Sequence, residues 1–326
     1  MVDYLVCGAG GFIGGHLVKH LSNFGSVRAV DIKPFSEWYQ NDTRNVHYII
    51  TDLKDSSECS RVCADTVEVY NLAANMGGMG FIESNKSLCM LNVLINTHLL
   101  QASLAAGVRK YFFASSACVY NASKQSSYIP IALKEEDAYP AMPEDGYGWE
   151  KLFSERMCCH FLEDYGLETR VARFHNVYGP YGTWDGGREK APAAICRKII
   201  EAIDKKRSYI DIWGSGEQAR SFMWIEDCIA GVDLVMRGGY NKPINLGSSE
   251  LVSINDLVTI VESIAGVSLD RVYNLKAPTG VAGRNSDNTL IQSLYNWEPN
   301  TPLQKGLAIT FKWIQDSYYK NRALNI

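Results

Sequence analysis

The first half of the chain alternates short β-branched runs with segments of helical pattern. The runs YLVCGAG (a strand and its turn), SVRAVDIK, VHYIITDLKD, TVEVYNLAAN and RKYFFASSACVY read as strands, and HLVKHLSNFG and LCMLNVLINTHLLQASLAAG read as helices that end at glycine. Strands separated by helices of this length form a parallel sheet with helices on both faces. The sequence therefore predicts an α/β fold with a doubly wound parallel sheet.

The segment GAGGFIG follows the first strand directly and opens the first helix. It places Gly8, Gly11 and Gly14 at three-residue spacing, with Phe12 and Ile13 at the helix start. Glycines at this spacing let the backbone approach a pyrophosphate, whose charge is met by the helix N-terminus. Glycine also occurs in tight strand-to-helix turns for packing alone, without a bound nucleotide. The context favours a Rossmann-type site for a dinucleotide.

Two acidic residues stand at the ends of the next strands. Asp31 lies 17 residues beyond Gly14, where a carboxylate accepts hydrogen bonds from the adenosine ribose and repels a 2′-phosphate. NAD is therefore predicted rather than NADP. Asp52 and Leu53 follow the third strand and are predicted near the adenine. Either acid could instead be a solvated turn residue.

The segment YGWEK places Tyr147 and Lys151 four residues apart, on one face of a predicted helix. An ammonium near a phenol favours phenolate, so we expect a pKa of Tyr147 below the ordinary value of about 10. Tyr147 could then take a proton from a sugar hydroxyl while hydride leaves the carbon for nicotinamide. The YxxxK spacing often occurs by chance. It is significant here because it follows the predicted nucleotide-binding half of the chain.

Composition excludes several classes of protein. The 326 residues are 46% hydrophobic and 21% charged, ordinary globular values, and a net charge of −4 without a basic run argues against nucleic-acid binding. No uninterrupted apolar run reaches membrane-spanning length, so no membrane partner is expected. Nine cysteines without a CxxC pair and six scattered histidines predict reduced thiols, a cytoplasmic location and no metal site.

The chain is expected to divide into two parts. Residues 1–174 are predicted to form the NAD-binding Rossmann domain, with later segments at roughly 213–245 returning to it. Residues 175–326 are predicted to form mostly a smaller mixed α/β substrate-binding domain. A long loop region that contains glycine and proline, RFHNVYGPYGTWDGGREKAPAAI, begins this second part, and such loops often carry function.

These motifs together resemble the extended short-chain dehydrogenase/reductase family, which acts on nucleotide sugars. The glycine pattern, the serine before VY, YxxxK and RFHNVYGP all match, so the resemblance covers nearly the whole chain. It implies that Ser116, Tyr147 and Lys151 form the catalytic group. Ser116 would hydrogen-bond the reacting oxygen, and Lys151 would also hold the nicotinamide ribose.

Within the family, NMGGMGFIESN, ASSACVY, GGREKAPAA, ARSF and GRNSDN resemble epimerases that act on GDP-hexoses. The resemblance implies transient oxidation at sugar carbon 4, followed by proton removal and return at carbon 3, carbon 5 or both. Carbons next to a ketone are acidic, so inversion there needs a base on one face of the ring and an acid on the other. The resemblance implies that Cys118 and Lys190 form this acid–base pair. Alternatively, Cys118 is a packed core thiol and Lys190 a solvated loop lysine.

The resemblance also nominates substrate-binding residues. The Met/Gly loop after the fourth strand would lie against the sugar, Asn176 would bind sugar or diphosphate, and arginine forks would bind the diphosphate. Alternatively, the Met/Gly loop packs in the core, Asn176 is a turn residue, and the arginines form ion pairs within the protein. Trp213 could flank the base or belong to the core. The substrate-binding candidates are Met76, Gly77, Gly78, Met79, Asn176, Lys190, Arg220 and Arg284.

Two other functions remain open at this point. The first is a nucleotide-sugar 4-epimerase of the same fold, which needs neither Cys118 nor Lys190. A dehydratase is disfavoured, because this chain has Ala117 and Cys118 where the resemblance leads us to expect an Asp–Glu pair. The second is a non-catalytic Rossmann protein that senses NAD. By analogy with the fold, a homodimer is expected.

Overall fold

The computed structural model describes residues 2–40 and 44–324. The strands are β1 (Val2–Cys7), β2 (Val27–Asp31), β3 (Val46–Ile50), β4 (Thr66–Asn71), β5 (Lys110–Ser116), β6 (Glu168–Phe174), β7 (Asn176–Tyr178), β8 (Tyr209–Trp213), β9 (Ala219–Trp224), β10 (Ile244–Leu246), β11 (Leu251–Ser253), β12 (Asp270–Asn274) and β13 (Gly283–Arg284). The helices are α1 (Phe12–Leu21), α2 (Ser56–Cys63), α3 (Met79–Ser84), α4 (Lys86–Met90), α5 (Asn92–Ala105), α6 (Asp145–Tyr165), α7 (Ala191–Asp204), α8 (Ile225–Arg237), α9 (Ile254–Ala265), α10 (Thr289–Tyr295) and α11 (Leu303–Leu324).

Seven parallel strands form the central sheet in the order β10, β6, β5, β4, β1, β2, β3. Alternate residues of β1 pack into different cores: Val6 joins the cluster on the α1 and α8 side, whereas Leu5 and Cys7 join the cluster with α2, α5 and α6. Helices thus cover both faces, which explains the nearly continuous apolar strands. The predicted doubly wound Rossmann-type fold is confirmed.

The second part of the chain adds two smaller sheets beside the carboxyl ends of the central strands. In one, β9 pairs with β7, β11 and β13, and in the other, β8 pairs with β12. After β9 the chain returns to the large sheet through α8 and β10. The two predicted folding units, divided at residue 174, stay a prediction.

One helical stretch corrects the expectation about membrane-spanning length. Residues Lys86–Ala105, which form α4 and α5, are long and apolar enough to cross a membrane by length and composition, with a mean hydropathy of 1.3. Yet α5 packs against α2 and α6 and buries Asn96, which accepts hydrogen bonds from Asn71 and Tyr111. A buried side chain whose oxygen accepts hydrogen bonds from two neighbouring strands is typical of a core helix.

Candidate active site

A glycine turn joins β1 to α1 and leaves no room for a side chain. Gly8 has a positive φ of 83°, and a Cβ on Gly14 would lie 2.0 Å from the Gly8 carbonyl oxygen. Gly11 precedes α1 and offers no side chain to cap its first N–H groups. The free N–H groups and the close backbone make a cradle that fits a pyrophosphate.

Asp31 lies at the end of β2 beside this turn. Its carboxylate accepts hydrogen bonds from the backbone N–H groups of Gly10 (2.9 Å) and Lys33 (3.0 Å), which fix its orientation. Asp52 accepts a hydrogen bond from the N–H of Lys54, and Leu53 is buried. Phe12 and Ile13 lie half-buried in the first turn of α1. A fixed acid next to a glycine cradle fits the ribose and pyrophosphate of NAD.

The reactive end of the site is a cavity at the carboxyl end of β5. Ser116, Cys118 and Tyr147 all line it, and Lys151 lies buried behind them. Ser115 points away and hydrogen-bonds Glu155, so it has a structural role. The sequence predicted that this strand would continue through Cys118, but the strand ends at Ser116. A 3₁₀ turn at Ala117–Val119 follows Ser116, whose hydroxyl accepts from the Cys118 N–H at 3.2 Å.

The pKa of Tyr147 differs from the sequence expectation. Burial raises the pKa of this phenol well above its ordinary value, and the negative charges of Cys118 and Glu150 raise it further, while Ser116 lowers it. Lys151 lies 5.6 Å from the Tyr147 ring. The predicted depression was wrong for the protein groups alone, because burial and the charges of Cys118 and Glu150 raise the pKa of Tyr147.

Lys151 has a buried carboxylate beside it. Its ammonium lies 3.9 Å from Glu150 Oε2 and 4.6 Å from the ring centre of Phe113. Glu150 Oε1 accepts a hydrogen bond from Ser154 at 2.9 Å, whereas Oε2 has no hydrogen-bond partner in the part of the chain that the structure describes. Burial raises the pKa of Glu150, and Lys151 acts against this shift. A counter-charge is thus built into the site behind Tyr147.

Cys118 is in contact with an arginine from a distant part of the chain. Arg284 Nη1 donates to the Cys118 sulfur at 3.6 Å, and Nη2 bonds Glu144 at 2.6 Å. The Glu144 N–H also donates to the Cys118 carbonyl oxygen. Burial raises the pKa of Glu144, but Arg284 outweighs this and the pKa falls below its usual value. A guanidinium beside the sulfur stabilises negative charge there.

Lys190 lines the same cavity immediately before α7. Within residues 2–40 and 44–324, its ammonium forms no hydrogen bond or ion pair. Burial lowers the pKa of Lys190, Arg284 lowers it further, and Cys118 acts in the opposite direction. An ammonium whose pKa is lowered by burial releases its proton more readily, as a general acid requires.

The Met/Gly loop lines the cavity and packs against the residues that precede Lys190. Met76, Gly77, Gly78 and Met79 all line the cavity, as predicted for sugar contacts. Gly78 donates its N–H to the Arg188 carbonyl at 3.0 Å, and a Cβ on Gly78 would lie 2.6 Å from the Glu189 oxygen. The absence of a side chain therefore lets this loop pack directly against the segment that contains Lys190.

The remaining predicted substrate residues also line the cavity. Asn176 donates to the Ser221 carbonyl at 3.3 Å. Arg220 bonds backbone carbonyl groups of residues 279–282, and burial together with Arg284 lowers its pKa to about 10. Diphosphate binding by Arg220 and Arg284 stays a prediction, because the guanidinium of Arg284 already contacts Cys118.

Sequence reasoning missed several residues of the cavity and its surroundings. Glu144 had a usable signal, because it stands three residues before Tyr147 and precedes α6. His175 is buried, and burial lowers its pKa to about 3, so it is neutral at working pH. The cavity also contains charged residues that no motif marked. The missed residues are Glu144, Glu150, His175, Lys198 and Asp211.

Comparison with known proteins identifies the class. A model of the NAD dependent epimerase/dehydratase family matches residues 4–247. The chain therefore belongs to this family of extended short-chain dehydrogenases/reductases. The predicted family is confirmed.

The most informative relative is a plant enzyme. The chain is 43% identical over 320 residues to GDP-mannose 3,5-epimerase of Arabidopsis thaliana, covering 98% of this chain and 83% of the plant protein. It also resembles UDP-glucose 4-epimerase of Thermotoga maritima, solved with UDP-glucose, with a TM-score of 0.85, 25% identity and coverage of 97% and 99%.

A second solved structure contains the cofactor. UDP-glucuronic acid 4-epimerase of Bacillus cereus, solved with UDP-glucuronic acid and NAD, matches with a TM-score of 0.83 and 25% identity, covering 97% of this chain and all of the other. The present protein is an NAD-dependent nucleotide-sugar epimerase, similar to GDP-mannose 3,5-epimerase. The predicted enzyme class and cofactor are confirmed.

Proposed function

We propose that the protein converts GDP-mannose into GDP-L-gulose by inverting carbon 5, and into GDP-L-galactose by inverting carbons 3 and 5, beside a transient ketone at carbon 4. The observation that carries this proposal is the presence of Cys118 and Lys190 in the same cavity as Ser116 and Tyr147. The similarity to the plant 3,5-epimerase supports it further.

The oxidation at carbon 4 would use Ser116 and Tyr147. The serine hydroxyl would hold the reacting sugar oxygen, and Tyr147, as phenolate, would receive its proton. Lys151 would hold the nicotinamide ribose, while Gly8, Gly11, Gly14 and Asp31 would bind the rest of NAD. Bound NAD would supply the hydride acceptor, and the positive charge of its oxidised ring would oppose the rise in the pKa of Tyr147 that burial causes.

The inversions would use Cys118 and Lys190 as a base and acid pair. Once carbon 4 is a ketone, the hydrogens on carbons 3 and 5 become acidic, since the resulting carbanion delocalises into the carbonyl. The Cys118 thiolate takes the carbon-bound proton and becomes a thiol. Lys190 gives a proton to the opposite face of the same carbon and becomes neutral. Arg284 would stabilise the thiolate through its contact with the sulfur.

Deuterium incorporation tests this proposal and separates it from the 4-epimerase alternative. Incubation with GDP-mannose in deuterated water, without an added redox partner, should place deuterium at carbons 3 and 5, measured by NMR. A 4-epimerase returns the same hydrogen to carbon 4 and incorporates no solvent label. A 4-epimer product without label at carbons 3 and 5 would therefore establish the alternative.

Cys118→Ser should keep NAD bound and lose most of the inversion activity, because a hydroxyl loses its proton far less readily than a thiol and so supplies no anionic base. Cys159→Ser on the outer part of α6 is the matched control, since Cys159 is half-buried and donates a hydrogen bond to Glu163 on the same helix. Wild-type deuterium incorporation by Cys118→Ser would show that this cysteine is a packed core thiol without a catalytic role.

We further infer a homodimer formed by the helices on one side of the central sheet. Leu91 and Leu94 expose apolar surface at α4–α5, and Trp149 and Phe153 do so on α6, which contacts both helices. A two-helix apolar surface that pairs with its own copy gives a four-helix bundle. Leu94→Asp with Phe153→Asp should yield a monomer in analytical ultracentrifugation, and a monomeric wild type would refute the dimer.

We also propose a cytoplasmic location. The structure shows all nine cysteines as free thiols, and thiols persist in a reducing compartment. Fractionation of the native host, with immunodetection of the chain, tests this. Recovery in an oxidising compartment would contradict it.

A further inference from the structure

The cavity continues along α7, well beyond the reactive end. Lys190, Ala194 and Lys198 follow one another at four-residue spacing and all line it, so they share one face of the helix. The eight residue steps from Lys190 to Lys198 span about 12 Å along the helix axis. A sugar held at Lys190 therefore leaves a second, distant end of the cavity for the nucleotide.

This second end of the cavity combines an aromatic ring with a hydrogen-bond acceptor and a hydrogen-bond donor. Asp211 and Trp213 alternate along β8, so both side chains point to the same side, and both line the cavity. Trp213 remains 47% exposed, which leaves ring surface for stacking. The Lys198 ammonium lies 5.8 Å from the Trp213 ring centre and donates to the Asp211 backbone carbonyl at 2.8 Å.

The carboxylate of Asp211 has no partner in the described parts of the chain. The lysine nearest to it bonds its backbone oxygen instead, and neither carboxylate oxygen forms a hydrogen bond or ion pair there. Asp211 is exposed where it lines the cavity. A carboxylate accepts hydrogen bonds only, so this position selects for a ligand with donor groups.

The order of these groups matches one nucleobase. The Watson–Crick edge of guanine presents an acceptor, O6, followed by two donors, N1–H and the 2-amino group. Uracil has one donor between two acceptors, so it would set an oxygen against the carboxylate. We propose that Asp211 binds N1–H and the 2-amino group of guanine, with Lys198 at O6 and the base stacked on Trp213.

This inference rests on the proposed function, because it assigns the nucleotide end of the same substrate. It makes Asp211 a determinant of specificity remote from the chemistry. An analogue that lacks the 2-amino group loses the hydrogen bond to this carboxylate, so it should bind less well. The effect should fall on KM rather than on kcat.

The experiment compares GDP-mannose with IDP-mannose, whose hypoxanthine base lacks only the 2-amino group. For the wild type, we expect kcat/KM for deuterium incorporation to be about tenfold lower with IDP-mannose. Asp211→Asn should raise KM for GDP-mannose about tenfold or more at unchanged kcat, and should bring the ratio between the two substrates close to one. Asp270→Asn on the adjacent strand β12, also exposed, should leave the ratio unchanged.

The outcomes separate the two levels of the proposal. No incorporation with any nucleotide hexose would refute the proposed function itself. Incorporation together with an unchanged substrate ratio in Asp211→Asn, or a wild-type preference for UDP-hexoses, would overturn the assignment of Asp211 alone. Circular dichroism of each variant verifies that the fold is retained.

Discussion

Two lysines serve the same site in different surroundings. Lys151 is 3% exposed, lies behind Tyr147 and has the Glu150 carboxylate 3.9 Å from its ammonium. Lys190 lines the cavity itself, and among the described residues it has no carboxylate partner. A carboxylate beside a buried ammonium favours the charged form, whereas burial without one favours the neutral form. The first environment suits a fixed charge and the second a mobile proton.

The largest expected effect comes from replacing each lysine by methionine, which keeps most of the length but not the charge. Lys190→Met should lower deuterium incorporation by about 10²–10⁴-fold, the usual contribution of a general acid, and leave NAD affinity unchanged. Lys151→Met should weaken NAD binding as well as all turnover. Titration with NAD and NMR of the product measure the two properties.

Equal loss of NAD affinity in both variants would break the distinction between the two lysines. Wild-type deuterium incorporation by Lys190→Met would also contradict this distinction. Lys190→Arg keeps a positive charge that is far harder to deprotonate, so it should remain as inactive as the methionine variant. Recovery of incorporation by arginine would show that Lys190 acts through charge alone.

The sequence predicted the parts of this site that depend on local spacing. Gly8 and Gly14 are required by one turn, and Tyr147 and Lys151 lie one helical turn apart, so a short motif contains each pair. The contact of Arg284 with Cys118 joins residues 166 positions apart, and no local pattern encodes it. The direction of the Tyr147 pKa shift depends on burial, which the motif does not reveal.

A smaller effect is expected where the Met/Gly loop supports Lys190. In Gly78→Ala the new Cβ would approach the Glu189 carbonyl to 2.6 Å, a backbone atom that must move. Displacement of the adjacent Lys190 by a fraction of an ångström should lower kcat for incorporation roughly tenfold, with NAD affinity retained. Gly239→Ala, with no heavy atom within 4 Å of its Cβ, is the matched control. Unchanged kcat in Gly78→Ala would mean that the loop does not position Lys190.

The smallest effect concerns the counter-charge of Lys151. Glu150 raises the pKa of Tyr147 after the larger effects of burial and Cys118. Glu150→Gln removes that negative charge and keeps the shape, so the pKa of Tyr147 should fall and phenolate should form at lower pH. The acidic limb of kcat/KM for incorporation should therefore move to lower pH, by about one unit at most.

A pH profile of kcat/KM measures this shift, because it reports the ionisation of the free enzyme. Glu163→Gln is the control, since Glu163 is exposed on the same helix and pairs with His160. An acidic limb that stays in place in Glu150→Gln would show that Glu150 is already protonated at working pH, as its raised pKa allows. Lys151 would then act without a counter-charge, and the two lysines would differ in burial alone.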